Sequence, residues 1–546
     1  MKLKNYLVLF LILALALFLR LYHLGSNPPH LTPDEASLGF NAYSILKTGR
    51  DEYGKFAPLI FKSFGDFKPG LYVYTAIPSI AVFGLSEFSV RLPSVIAGVV
   101  AVILIYLICK NLFDNKFALI ASFFLSVCPW HIYFSRGAWE INLSLTLTLA
   151  GIYFFLKSFK NQKLLILSAV FFASTLLTYQ GAKISTFAVL LALLVSYHKE
   201  VFKFNKKIVV ISTILAITIS IPIVTSLFNG ELGRASVFSV FSYPRPPDYL
   251  LGQLSQGNEK AGSISYFIFH SEALNFARGI LGRYFNHFSG QFLFFEGDFQ
   301  NSRHSVPGMG VLLQFDLILI LLGLIFFIRS KKKTQKIFFL LWLALAPIAS
   351  SITKDSVHAV RSYNMLIPLV ILETAGSLLI FKNYKKIKLF IPILIFLYLA
   401  NYIYFLDAYF IHLPAHNAEY WEYGYKQIVE TVMPIKSNYK KVLIPQSYAQ
   451  PYIYFLFFTK YDPKTYQQNS MLKESISGDV GIVEKLDNIN FVNFDWPKSQ
   501  KETNTLFVAT NEQINLDEIQ KGKFNIIKEI YYPKSKNLAF RIFESK

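Results

Sequence analysis

Apolar residues along this chain come in long runs rather than in alternation with polar ones. Runs of about 17–25 residues, long enough to cross a bilayer as helices, fall near 5–23, 91–109, 117–134, 141–157, 164–180, 182–198, 208–228, 311–329, 337–351, 361–381 and 388–406. The links between them are of two kinds. Those at 110–116, 157–163, 198–207, 329–336 and 382–388 are rich in lysine, whereas the intervening ones hold few Lys or Arg for their length. With the basic links on the cytoplasmic side, the alternation predicts a polytopic α-helical membrane protein of about eleven spans. The N-terminus, with Lys2 and Lys4, is then inside and the C-terminus outside. A cleaved signal peptide competes for the first run, but no small-x-small cleavage site precedes Arg20, which favours an uncleaved span.

The same parity assigns the apolar run 71–85, LYVYTAIPSIAVFGL. It is short and holds Pro78 and Gly84, and counting it as a span would put every later lysine-rich link outside. It is predicted as a re-entrant or interfacial helix against the outer leaflet. Three polar regions then face outward: a first outer loop at 24–90, a large loop at 229–310 rich in Phe, Tyr, Gly and Pro, and a tail at 407–546. The membrane domain is expected over 1–406. In the tail, helical stretches alternate with β-rich ones, at 425–435, 442–445 and 450–459, before strands near 505–509, 524–532 and 538–543, which predicts a small extracytoplasmic α/β domain.

Composition agrees with this picture. Of 546 residues 53% are hydrophobic and 16% charged, and the mean hydropathy of +0.39 excludes a soluble protein of this size. The net charge of +20 sits in short links, the pattern of membrane topology, so nucleic acid is not an expected partner. The two cysteines, Cys109 and Cys128, fall on opposite sides of the bilayer, and no disulfide is expected between them.

Carboxylates beside membrane spans are costly unless they do something. Asp34 and Glu35 follow Pro33 in the first turn of a predicted helix, where they suit the helix dipole. An ordinary N-terminal cap is the plain alternative. Asp66 and Lys68, in GDFKP, return to the same surface just before the 71–85 run. Within the spans only Asp316 and Glu373 interrupt the apolar runs, too few charges for an ion-coupled transporter. A lipid-linked glycan flippase, or a membrane scaffold for the tail, are the readings from other classes.

The order of first span, Pro-Asp-Glu-Ala at 33–36, Lys-Pro-Gly-Leu-Tyr-Val-Tyr at 68–74 and Glu-Phe-Ser-Val-Arg-Leu-Pro at 87–93 resembles the GT-C membrane glycosyltransferases of the protein mannosyltransferase/aminoarabinose transferase superfamily, of family 39 type. The resemblance covers roughly residues 1–200 by motif and the later spans by architecture. It implies a GT-C fold in the plasma (inner) membrane and an inverting transfer of a sugar from a polyprenyl-phosphate donor to an extracytoplasmic lipid, glycan or protein. A polymerase or ligase of longer lipid-linked glycans is the alternative within that class.

On that resemblance Asp34 matches the general base, with Glu35 beside it. Lys68 matches the family's Lys-Pro position and would meet the leaving phosphate. Here Gly70 stands where a second proline is common, and Phe67 separates Asp66 from Lys68 where the aminoarabinose branch has an adjoining acidic residue. Arg136 and Glu140 match an Arg-then-acidic pair on the second outer loop, as phosphate ligand and sugar or acceptor contact; a snorkelling arginine and a helix-start glutamate are the plain reading. Arg361 and His358, three apart, suit phosphate and substrate capture. Tyr72 and Tyr74 would line the lipid groove or belong to an interfacial aromatic belt. A divalent metal would be held by His304, with Asp66 as second ligand.

Overall fold

The computed structural model describes residues 2–545 apart from 229–236, 384–387, 447–449, 474–479, 494, 523 and 536. The start of the large outer loop and the middle of the basic link at 382–388 lie outside the described residues.

Helices form at each of the eleven predicted places. Among the described residues, by length and composition, seven are apolar and long enough to cross a membrane, and an eighth is the pair Asn115–Val127 and Pro129–Arg136, bent by 57° where Pro129 interrupts the run. The helices Leu164–Leu176, Ala182–Ser196 and Asp316–Arg329 have 13, 15 and 14 residues. At 1.5 Å per residue each covers about 20 Å, short of a typical ~30 Å hydrocarbon core. Small residues set the closest packing. A Cβ on Gly323 would strike the carbonyl of Leu372, and one on Gly376 that of Leu319, so Asp316–Arg329 and Leu366–Lys382 meet backbone to backbone. Other helices keep apolar faces outward: Phe396 on Ile391–Asp407 is 68% exposed. Such a face has no place in water and suits lipid.

The run at 71–85 forms the helix Leu71–Phe83, ended by Gly84 at φ 72°. Its 13 residues likewise cover only about 20 Å. The large loop carries the helices Pro247–Gln256 and Glu272–Asn286, with Phe267, Phe269 and Phe285 at its surface.

In the tail six strands form one sheet, in the order 485–486, 489–492, 441–445, 505–509, 538–544, 525–531. Lys441–Pro445 runs parallel to both neighbours and the outer pairs are antiparallel. The helix Tyr452–Phe458, buried almost throughout, packs on the helix Pro33–Thr48, where Gly39 leaves room for the Phe457 ring. Polar bonds fix this contact: Tyr454 Oη donates to the Leu31 carbonyl at 3.0 Å, and the Lys426 amide to His30 Nε2 at 3.2 Å. The sheet is thereby tied onto the first outer loop.

Candidate active site

The site begins with a helix start. Thr32 caps Pro33–Thr48: its hydroxyl accepts from the Glu35 amide, and the Glu35 carboxylate accepts from the Thr32 amide at 3.0 Å. This capping box satisfies two amides that a helix N-terminus leaves unpaired. Glu35 also takes Arg91 Nε at 3.0 Å, Arg91 Nη2 at 3.2 Å and the Ala138 amide at 2.8 Å. It is 2% exposed. With every lone pair of Glu35 engaged, the neighbouring Asp34 is turned to the open side, its side chain 54% exposed, where it is ion-paired with Lys68.

Lys68 arrives on a hairpin, Ile60–Ser63 against Asp66–Pro69, turned by Phe64 and Gly65. Both have positive φ, 55° and 81°, the two-residue turn that matches strand twist. Behind the Asp34–Lys68 pair lies a narrow crevice lined also by Ser37, Asn41, Ser63 and Glu140. Glu140 opens the helix Glu140–Ser158. Tyr179 lies in electrostatic range of Arg361, Glu140 and Asp34, which brings Arg361 toward this face. Arg361 donates to Asp355 at 2.5 Å and Thr353 at 2.8 Å.

Several expected site residues have other work. Arg136 is fully buried and all five of its N–H bonds are used, to the carbonyls of Leu19, Arg20, Tyr22 and Asn27 and to Tyr409 Oη. It caps the end of the first helix and has no donor left for a phosphate. Glu35 is a cap and ion-pair partner rather than a base. Tyr72, 0% exposed, donates to the Val90 carbonyl, and Tyr74 to that of Pro58, so neither hydroxyl is offered to a lipid. His358 turns its ring to His304, centroids 4.7 Å apart, and not to the crevice.

His304 belongs to a compact group. One ligand atom each from Asp298, His304 and His358 lie within 4.8 Å of one another. His304 Nδ1 donates to Asp298 Oδ2 at 2.9 Å, and the same oxygen accepts from the Ala359 amide at 2.9 Å. Burial lowers the pKa of both histidines, which keeps the imidazoles neutral as ligands must be. Two imidazoles and a carboxylate fit a divalent cation of the zinc or manganese type. Asp66 lies outside this group; it accepts from the Phe67 amide.

Sequence reasoning passed over Asp298, within the motif EGD at 296–298, because carboxylates in outer loops are common. It also missed Arg91 as the partner of Glu35, and the buried pair Asn41 and Glu52 behind Asp34. Burial pushes the Glu52 carboxyl up to about 8, and burial also lowers His30 to about 4.

Residues 68–225 match the family described as dolichyl-phosphate-mannose-protein mannosyltransferase. YkcB of Bacillus subtilis (strain 168), a protein assigned as a mannosyltransferase, is 29% identical over 168 residues, 30% of this chain and 22% of its own. ArnT from Cupriavidus metallidurans, solved bound to undecaprenyl phosphate, superposes over 98% of this chain and 97% of its own at a TM-score of 0.53 and 12% identity. The archaeal oligosaccharyltransferase AglB from Archaeoglobus fulgidus covers 84% of this chain and 64% of its own at a TM-score of 0.47 and 13% identity. The chain thus spans about a fifth of the length of YkcB and just under two thirds of AglB. Residues 68–225 carry the likeness to this mannosyltransferase family, and the chain as a whole shares the fold of ArnT.

Proposed function

We propose that the protein is an inverting glycosyltransferase that moves a sugar from a polyprenyl-phosphate donor to an acceptor outside the cytoplasmic membrane. The observation that carries this reading is one exposed carboxylate, Asp34, held beside a lysine at the mouth of a crevice on the first outer loop. A neutral acceptor is a poor nucleophile, and a placed carboxylate takes its proton. The acceptor oxygen attacks the anomeric carbon, the carbon–oxygen bond to phosphate breaks, and Asp34 receives the proton. Charge then collects on the leaving polyprenyl phosphate, where Lys68 and Arg361 meet it. Glu140, across the crevice, contacts the sugar or acceptor.

Asp298, His304 and His358 would hold a divalent cation, which supplies positive charge to the phosphate. The reading keeps eleven spans with the N-terminus inside, counts the three short helices among them, and treats residues 407–546 as an extracytoplasmic domain that covers the site.

The test is sugar transfer in membranes from a panel of polyprenyl-phosphate sugars, wild type against Asp34→Asn. At least one donor is consumed by wild type, and the variant loses about 10²–10⁴ of that rate while retaining its melting temperature. No donor consumed, or equal rates, overturns the assignment.

A further inference from the structure

From Asp34 the helix Pro33–Thr48 sends Ser37, Leu38 and Asn41 along one face, at steps of three, four and seven residues. These residues line the crevice behind the carboxylate, opposite Phe61 and Val73. The crevice interior measures about 10 Å³, the room of one water or hydroxyl. Its polar wall is unusual for so confined a place. Ser37 Oγ and Ser63 Oγ are 2.9 Å apart, and only one of the two hydroxyl hydrogens can lie between them. Asn41 is held on both sides by Glu52: its Nδ2 donates to Glu52 Oε1 at 3.2 Å, and its Oδ1 accepts from the Glu52 amide at 3.0 Å. Its other amide hydrogen goes to the Ser37 carbonyl at 3.0 Å. Asn41 is 2% exposed and Glu52 is 0% exposed. Among the described residues Glu52 Oε2 has no hydrogen-bond partner.

Burying a carboxyl with one oxygen unsatisfied is costly, and an apolar pair at 41 and 52 would fill the same space without that cost. We propose that Ser37 and Ser63, which between them keep one free hydroxyl hydrogen, form a pocket for a single hydroxyl of the acceptor and present it to Asp34, with Asn41, held by Glu52, as the fixed wall that sets the place of Ser37. The inference rests on the glycosyltransferase reading and narrows it to an alcohol acceptor. Glu52 does not touch the substrate; it is a positioning residue that fixes which way the Asn41 amide faces. The groups around Glu52 agree with a neutral acid there. Asp51 raises its pKa and Lys68 lowers it, with burial the largest influence. Tyr53, Tyr452 and Tyr466 lie in electrostatic range of Glu52, and burial raises the pKa of each.

The experiment uses the full chain in membranes with whichever donor is consumed, and methanol as probe alcohol against water. The reading is the ratio of methyl glycoside to free sugar, which does not depend on how much enzyme is folded. Asn41→Leu and Glu52→Ala are expected to lower that ratio about tenfold, one hydrogen bond's worth, with the donor KM unchanged. Glu52→Gln, which keeps the contacts of the neutral acid, holds the ratio near wild type. Ser37→Ala, a milder change should Glu52→Ala fail to fold, moves it in the same direction. An unchanged ratio in Asn41→Leu overturns the pocket. So does a rise in donor KM at constant ratio, which would give these groups to the donor sugar. If wild type consumes no donor at all, the reading on which the pocket rests falls, and the pocket with it.

Discussion

Among the cations at the loop 24–90, four form two contrasting pairs. Arg91 and Arg136 lie beneath it, fully buried. Arg91 gives all five N–H bonds to Glu35 and to the carbonyls of Leu24, Pro28 and His30, as Arg136 gives its own to the end of the first helix. Lys68 and Arg361 lie above, their side chains 16% and 13% exposed, each paired with an aspartate that solvent also reaches. The buried pair closes carbonyls that the chain cannot satisfy where it leaves a helix. The upper pair keeps its charge at a surface where an incoming phosphate can compete for it. On the proposed reading, what suits a cation to meet phosphate here is its unspent donors, not its place at the outer end of an apolar run.

The sharpest break of this comparison is at Arg91. Arg91→Ala leaves Glu35 as a buried charge with its ion-pair partner gone, at a cost on the order of 3–5 kcal/mol. The expected outcome is loss of folded protein, read by yield after extraction and by thermal melting. Lys68→Ala should leave yield and melting unchanged and raise the donor KM by about 10–100-fold, the worth of one charge-assisted hydrogen bond. If Lys68→Ala unfolds the protein, or Arg91→Ala leaves it stable and changes donor KM alone, the two pairs have been assigned the wrong way round.

The comparison also marks what the sequence could disclose. Helix positions were legible because apolar runs are dictated by the bilayer and do not depend on which helices touch. The helix start at Pro33–Glu35 was legible for the same local reason, the cap being written in adjacent residues. Arg136 misled because its partners, the carbonyls of residues 19–27 and Tyr409, are more than a hundred positions away and carry no side-chain signature. Glu35 and Asp34 look alike in sequence, and only the position of Arg91 and the Ala138 amide separates a carboxylate spent on structure from one left at the open side. The run at 164–180 was overcounted in length because it continues into the turn at 177–181, and that at 311–329 because it begins in the loop at 311–315.

A smaller effect sharpens the comparison on the side facing Arg361. The group Asp298, His304 and His358 lies next to this cation in sequence and space, since the Arg361 amide donates to His358 Nδ1 at 3.3 Å. Chelation by EDTA should lower the transfer rate several-fold if an ion rests there, and added Mn²⁺ or Zn²⁺ should restore it. His304→Ala should remove the response to both. An EDTA-insensitive rate would leave the histidines as a brace for the 354–362 loop.

The smallest effect is on stability against pH, and it separates the floor of the site from its mouth. Glu52 holds its proton in the folded chain up to about pH 8, whereas an unfolded glutamate releases it near 4.5. Across that window the folded state binds more protons, so the contribution of Glu52 is full below about 4.5 and is lost as pH rises toward 8. Glu422, raised to about 7 by burial, acts in the same direction. His30, His287, His304 and His358 act in the other: burial lowers them, so the unfolded chain binds more protons below about 6.5 and stability falls as pH drops from there. The melting temperature should therefore peak near pH 6.5 and fall by a few degrees at pH 8. Glu52→Gln should flatten the alkaline fall and steepen the acid limb between about 4.5 and 6.5, where Glu52 opposes the histidines. Asp34→Asn, at the exposed mouth, should alter neither limb, since an ion pair open to solvent contributes little to stability. If Asp34→Asn flattens the alkaline limb and Glu52→Gln does not, the buried acid that governs this surface is at the mouth, and the division between a structural floor and a reactive rim is wrong.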